Sequence, residues 1–139
     1  MTRPLIPDYS LRTIESMARS LLRERWPTLD VPVDIDYLLE TEPGVSMETD
    51  PMLQSRFDVP GATVYHPKED RFTILIDARV ADGNPGYYRF TVAEELGHVR
   101  LHGAVFRRIQ TLHDSITLHE APEYERMERN AKWFASAAL

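Results

Sequence analysis

The sequence predicts an α+β domain in which a small antiparallel sheet packs with helices. Three observations carry that expectation. Apolar residues recur at helical spacing near both ends of the chain. Two short strand-like runs sit in the middle, separated by a turn. A long, largely apolar helical stretch follows a break rich in Gly, Asn and Pro. The length, 139 residues, suits a single domain.

Leu11, Ile14, Ala18, Leu21 and Leu22 recur at helical spacing, with Arg12, Glu15, Arg19 and Arg23 between them. This predicts an amphipathic helix from about residue 9 to 26, ended by Pro27. A short second helix is expected over Ile35 to Glu40, with Asp34 as its cap. Glu42-Pro43-Gly44 makes a turn, and Val45 to Glu48 reads as a strand. Residues 49 to 60 carry two prolines and little periodicity, which predicts a loop. Ala62 to Tyr65 and Phe72 to Ile76 are the stronger strands. The turn His66 to Asp70 between them predicts an antiparallel hairpin.

The segment "ADGNPG", residues 81 to 86, is a loop signal. A helix follows from about Tyr87 to His102, with Gly103 suited to its stop. Residues 104 to 119 alternate loosely through Val105, Ile109, Leu112, Ile116 and Leu118 and fit either regular period. Pro122 opens a last helix with Glu123 and Glu125 in its first turn. Its apolar stripe is Tyr124, Met127, Ala131, Phe134, Ala135 and Ala138. Nothing after that stripe caps the helix, so the domain is expected to continue past Leu139.

At 42% hydrophobic and 27% charged, the composition is that of a globular protein. The net charge of -6 argues against a grip on phosphate backbones. With no cysteine, disulfides, thiolate metal sites and cysteine nucleophiles are excluded. No apolar run approaches the roughly 20 residues of a membrane span. The N-terminal residues contain no signal-peptide core. The expectation is a cytoplasmic protein with no membrane and no direct nucleic-acid partner.

Chemistry concentrates in "TVAEELGHVRLHG", residues 91 to 103. Glu94 and His98 are four apart, so they share one helix face one turn apart. In an H-E-x-x-H helix that spacing lets two side chains grip one Zn²⁺, while the intervening glutamate serves as general base. Glu95 stands at the base position, and Glu94 stands where the first histidine would be. A third ligand must come from another element. Glu128 suits it, because it flanks the apolar stripe of the last helix. Taken alone, Glu94 and Glu95 read as solvated helix carboxylates, but their neighbours Val92, Ala93, Leu96 and Gly97 are apolar or small. His98 and His102 are also four apart, so a Glu94/His98/His102 site on one helix is a second arrangement. A single helix cannot readily surround an ion with three residues in line. His113 and His119 read as surface residues or substrate contacts, His66 as a turn residue, and Trp133-Phe134 as core.

The chain resembles the ImmA/IrrE metallopeptidases. Their helix R-F-T-L-A-H-E-L-G-H-L-L-L-H is similar to Arg89-Phe90-Thr91-Val92-Ala93-Glu94-Glu95-Leu96-Gly97-His98-Val99-Arg100-Leu101-His102. Their later E-R-E-A-N-x-F-A is similar to Glu128-Arg129-Asn130-Ala131-Lys132-Trp133-Phe134-Ala135. "PVDIDYLLE" and "FTILIDARV" resemble the family's second helix and its strand, so the resemblance runs from about residue 10 to 139. It implies a zincin-like minimal fold, His98 and Glu128 as metal ligands, Glu95 as general base, and a histidine at position 94. It also implies Asn or Asp at position 132, where this chain has Lys132. The family's histidine at the position of His102 is usually not a ligand. The family's tail continues past the equivalent of Leu139, which again implies a longer domain.

The resemblance further implies a protein or peptide substrate, such as a helix-turn-helix repressor. A Glu94/His98/Glu128 site would carry two anionic ligands. It would be a weaker Lewis acid than the family's and more accepting of Mn²⁺ or Fe²⁺ beside Zn²⁺. Without metal, Glu94, Glu95 and Glu128 should repel one another, and at least one should hold its proton to higher pH. Two readings stand: a metal-dependent peptidase, and a pseudo-peptidase that serves as a protein-binding regulatory module. Both require the helix of Glu94 to His98 to pack beside that of Glu128, with His98 and Glu128 converging.

Overall fold

The computed structural model describes residues 6–28, 30–109 and 112–139, without side chains at 112, 113, 115 and 116. Among these residues the order is α1 (Leu11–Arg25), α2 (Ile35–Glu40), β1 (Val45–Asp50), α3 (Leu53–Phe57), β2 (Gly61–His66) and β3 (Arg71–Asp77), followed by α4 (Ala78–Asp82), α5 (Pro85–Arg107), α6 (Leu112–Glu120) and α7 (Tyr124–Ala138). The α+β expectation holds.

Side-chain caps start most of these helices. Ser10 Oγ accepts from the Thr13 amide at 3.2 Å, Asp34 Oδ1 from Tyr37 at 3.1 Å and Asn84 Oδ1 from Tyr87 at 3.0 Å. Each cap satisfies an amide that the first helical turn leaves unpaired. Pro85 then suits the first turn of α5, where no amide hydrogen is needed.

The sheet is mixed, which corrects the expected antiparallel one. Its order is β1-β3-β2. The β2–β3 hairpin is antiparallel, pairing Gly61 with Ile76 and His66 with Arg71. Strand β1 lies on the other side of β3 and runs parallel to it, from Val45↔Phe72 to Asp50↔Asp77. The end of β1 and the start of β2 are therefore at the same end of the sheet. Residues 51–60 cross over the end of β3, a span of about two strand spacings, or roughly 10 Å. Alternation within a strand reveals its faces but not its partner, so the direction of β1 could not be read from its residues.

Three further boundaries differ from expectation. Residues 49–60 contain α3, whose single buried anchor, Leu53, leaves no periodic signal. Ala81 and Asp82 belong to α4, which Asp77 caps by accepting from the Arg79 amide at 2.9 Å. The other oxygen of Asp77 accepts from the Gln54 amide at 2.9 Å, so one buried carboxylate ties α3 to β3. Helix α5 passes through Gly103 and ends at Arg107. Gly103 is buried near the Phe72 ring, and the burial of His102 and Val105 around it outweighs the modest helix penalty of glycine. Residues 112–119 lie in α6, although the side chains of Leu112 and Ile116 lie outside those described.

Helix α5 occupies the centre. One side lies on β2 and β3, and the other packs on α7, which in turn packs on α1. Ile74 and Ile76 of β3, Val92 and Leu96 of α5, Phe134 of α7 and Ile14 of α1 share one core. A second cluster joins Ile6, Val105, Leu118 and Met127. Glu42 locks the exterior: its Oε2 accepts from Arg25 Nη1 and Arg100 Nη2, each at 2.6 Å, tying α1 to α5. Among the described residues, no helix is long and apolar enough to cross a membrane.

Helices α5 and α7 approach each other closely at Gly97. A β-carbon there would stand 3.1 Å from the Ala131 carbonyl oxygen and 3.2 Å from Phe134 Cβ. Gly97→Val should therefore destabilise the fold by about 1–3 kcal/mol, the usual cost of overpacking. Denaturant unfolding would check this, and unchanged stability would mean that α5 and α7 can separate freely.

Candidate metal centre

The α5–α7 contact determines the site. Gly97 lets α7 approach so closely that His98, the next residue, meets Glu128, one turn before Lys132. His98 Nε2 lies 3.2 Å from Glu128 Oε1. Glu94, one turn earlier on α5, completes a group whose ligand atoms all lie within 4.8 Å of one another. Two donors bonded to one zinc at about 2.0–2.1 Å in a tetrahedron stand roughly 3.3–3.4 Å apart. The His98–Glu128 pair already has that spacing, and a small side-chain movement would bring in Glu94. His98 is buried, whereas Glu94 and Glu128 are half-buried. The donors thus fit a divalent ion with one side of the site toward solvent.

His102 is not in this group. Its Nδ1 lies 3.1 Å from His98 Nδ1, so the two rings share a hydrogen bond on the side away from Glu128. The arrangement on a single helix does not form. Phe106 packs edge-on against His98 with ring centroids 6.0 Å apart, leaving the imidazole little freedom.

Glu95 points to the sheet side of α5. Thr63 Oγ1 of β2 donates to Glu95 Oε1 at 3.1 Å. Gly61, two residues earlier on the same strand face, makes room: a β-carbon there would lie 3.1 Å from Glu95 Cγ. Burial pushes the Glu95 carboxyl up to about 7, against the pull of nearby His98. Glu94 is also raised, first by burial and then by the charge of Glu128. For His98, burial opposes the charged ring, but the Glu128 hydrogen bond and the surrounding carboxylates outweigh it and raise the pKa. Burial would raise Glu128 as well, yet the His98 and Tyr124 hydrogen bonds hold it below the usual carboxylate range. His102 is driven down to about 3 by burial and by His98, and so is neutral.

Two contributors escaped the reading of the sequence. Tyr124 was assigned to the apolar stripe, but its side chain hydrogen-bonds Glu128. Its place four residues before Glu128 on one helix face was the available signal. Thr63 looked like an ordinary strand residue, and nothing local distinguishes it. Lys132 is exposed, and its charge favours ionised Glu94 and Glu128. His119 stacks on Tyr124 with centroids 4.7 Å apart, while the His113 side chain lies outside the described residues. His66 bonds Thr73 Oγ1 at 2.8 Å on the outer sheet face, away from the site. Phe134 is core, and Trp133 lies under the Arg129 guanidinium.

Folding raises the Glu95 pKa from 4.5 to about 7, so the folded chain keeps a proton that the unfolded chain has released between those values. The stabilisation from this group is complete below about pH 4.5 and is lost as pH rises through about 7. Between those limits, metal-free wild type should lose up to roughly 3 kcal/mol more stability than Glu95→Gln. Urea unfolding with chelator across that range would measure it, and parallel pH profiles would contradict the burial of a carboxyl there.

The geometry agrees with the likeness to known proteins. No curated protein matches the chain. The family model described as Peptidase_M78, the IrrE N-terminal-like domain, matches residues 61–139, which run from β2 to the end of the chain and include every donor of the site. The chain belongs to the IrrE N-terminal-like peptidase family.

Proposed function

We propose that this chain is a metal-dependent endopeptidase domain in which Glu94, His98 and Glu128 hold a divalent ion and Glu95 is the general base. The supporting observation is the convergence of three donors from two helices beside a buried carboxyl. A bound dication would polarise a peptide carbonyl and acidify a water. The protein's own residues then have distinct tasks. Glu95, with a pKa near 7, is poised to take and return a proton at neutral pH. Thr63 holds the Glu95 carboxyl against β2. Without the ion, Tyr124 and His98 hold Glu128 ionised, ready to serve as a ligand.

The substrate is a protein or peptide, with a helix-turn-helix repressor as the family-based choice. Strand β2 supports this, since it is an edge strand beside Glu95 whose free side could pair with an extended backbone. The acidic net charge disfavours direct DNA binding, and any DNA link would run through the repressor, in the cytoplasm. Zinc is the first choice of metal. Two carboxylates among three ligands also admit Mn²⁺ or Fe²⁺.

One observation favours the pseudo-peptidase reading. Glu94 stands in the place of the family's histidine, and the charge of Lys132 acts on both ligand carboxylates and competes for them. Metal content separates the readings. Protein purified without chelator should carry a stoichiometric metal, and His98→Ala should abolish it. Glu94→His replaces an anion by imidazole and should raise zinc affinity on the order of tenfold, about 1.4 kcal/mol, and raise cleavage of a co-expressed repressor. A metal-free wild type together with no gain from Glu94→His would give the lead to the binding module.

A further inference from the structure

We infer that His102 is a positioning residue: its Nδ1 accepts the hydrogen bond from His98 Nδ1–H and so turns the Nε2 lone pair of His98 toward Glu94 and Glu128. The inference deepens the proposed metal site and rests on it for its purpose, though not for its geometry. The starting point is the 3.1 Å contact between the two Nδ1 atoms, both within the buried part of α5. One of these nitrogens must carry the proton and the other must be bare.

The other face of His98 decides which. Its Nε2 lies 3.2 Å from Glu128 Oε1, within the group of ligand atoms. A histidine that coordinates through Nε2 has its remaining proton on Nδ1. His102 Nδ1 must then be the acceptor, and the proton of His102 sits on Nε2. That Nε2 is buried with no hydrogen-bond partner. An orphaned buried nitrogen is destabilising, so a fold selected for stability alone would favour an apolar ring here. The reverse bond would orphan the same Nε2 and also place a proton on His98 Nε2, blocking it as a ligand. Only the first direction leaves His98 Nε2 without a proton and able to coordinate. Phe106 closes the remaining side of the His98 ring, so the imidazole is held by one hydrogen bond and one aromatic edge.

The test uses two substitutions and one spectrum. His102→Phe keeps a ring of similar size and removes both the acceptor and the orphaned nitrogen. It should leave the fold as stable as wild type or more so, yet weaken zinc binding by roughly 10–100-fold, the usual effect of losing a residue that orients a ligand. His102→Gln retains an acceptor oxygen and should bind zinc close to wild type. Nitrogen-15 spectra of the imidazoles in the zinc-bound wild type should show the His102 proton on Nε2. A His102 proton on Nδ1, or zinc binding by His102→Phe as tight as wild type, would overturn the inference. Failure of the wild type to bind zinc would sink the metal-site proposal, whereas zinc bound equally tightly by wild type and His102→Phe would sink the role of His102 alone.

Discussion

The close packing of α5 against α7 is the constraint on which the rest of the site depends. Gly97 admits the Ala131 carbonyl and Phe134 side chain to distances that a β-carbon would crowd. The contact places His98 and Glu128, which are 30 positions apart in the chain, within 3.2 Å of each other. It also buries Leu96, Ala131 and Phe134 fully, so the same atoms that stabilise the core set the geometry of the ligands. A site built on two packed helices is stiffer than one built on loops, and its donors converge before any ion is bound.

Charge is the second organising quantity. Three carboxyl groups and one imidazole share a partly dry volume, and the chain manages their repulsion without a full complement of cations. His98 and Glu128 pair, Tyr124 supports Glu128, and Glu95 holds its proton to about pH 7. A dication placed among them would relieve the same repulsion. Lys132 adds one cation nearby, and its charge favours the ionised form of both Glu94 and Glu128.

The region matched by the family model begins at Gly61, but the fold does not. Helix α1 covers the back of α7, and α2 leads to Glu42, whose carboxylate bridges Arg25 and Arg100. These earlier elements contribute no donor to the site. They bury the outer faces of α5 and α7 and so hold the two helices at the separation that the site requires.

The sequence by itself determined what depends on neighbours within a few residues. Helical spacing and caps located α1, α2, α5 and α7, and alternation located the β2–β3 hairpin. The four-residue spacing of Glu94 and His98 placed both on one face of α5, because helix geometry requires it. The tertiary structure alone decided what depends on contacts between distant segments. Strand β1 runs parallel to β3 because residues 51–60 cross the end of the sheet, and a strand's alternation does not record its partner. Helix α5 continues through Gly103 because burial around that residue outweighs its local preference. The tie from Thr63 to Glu95 exists because β2 packs on α5 at Gly61. Spacing alone would allow His102 to join Glu94 and His98 as a ligand. Instead its Nδ1 is engaged by the far side of the His98 ring, and Glu128, brought in by the Gly97 contact, takes the third place in the cluster.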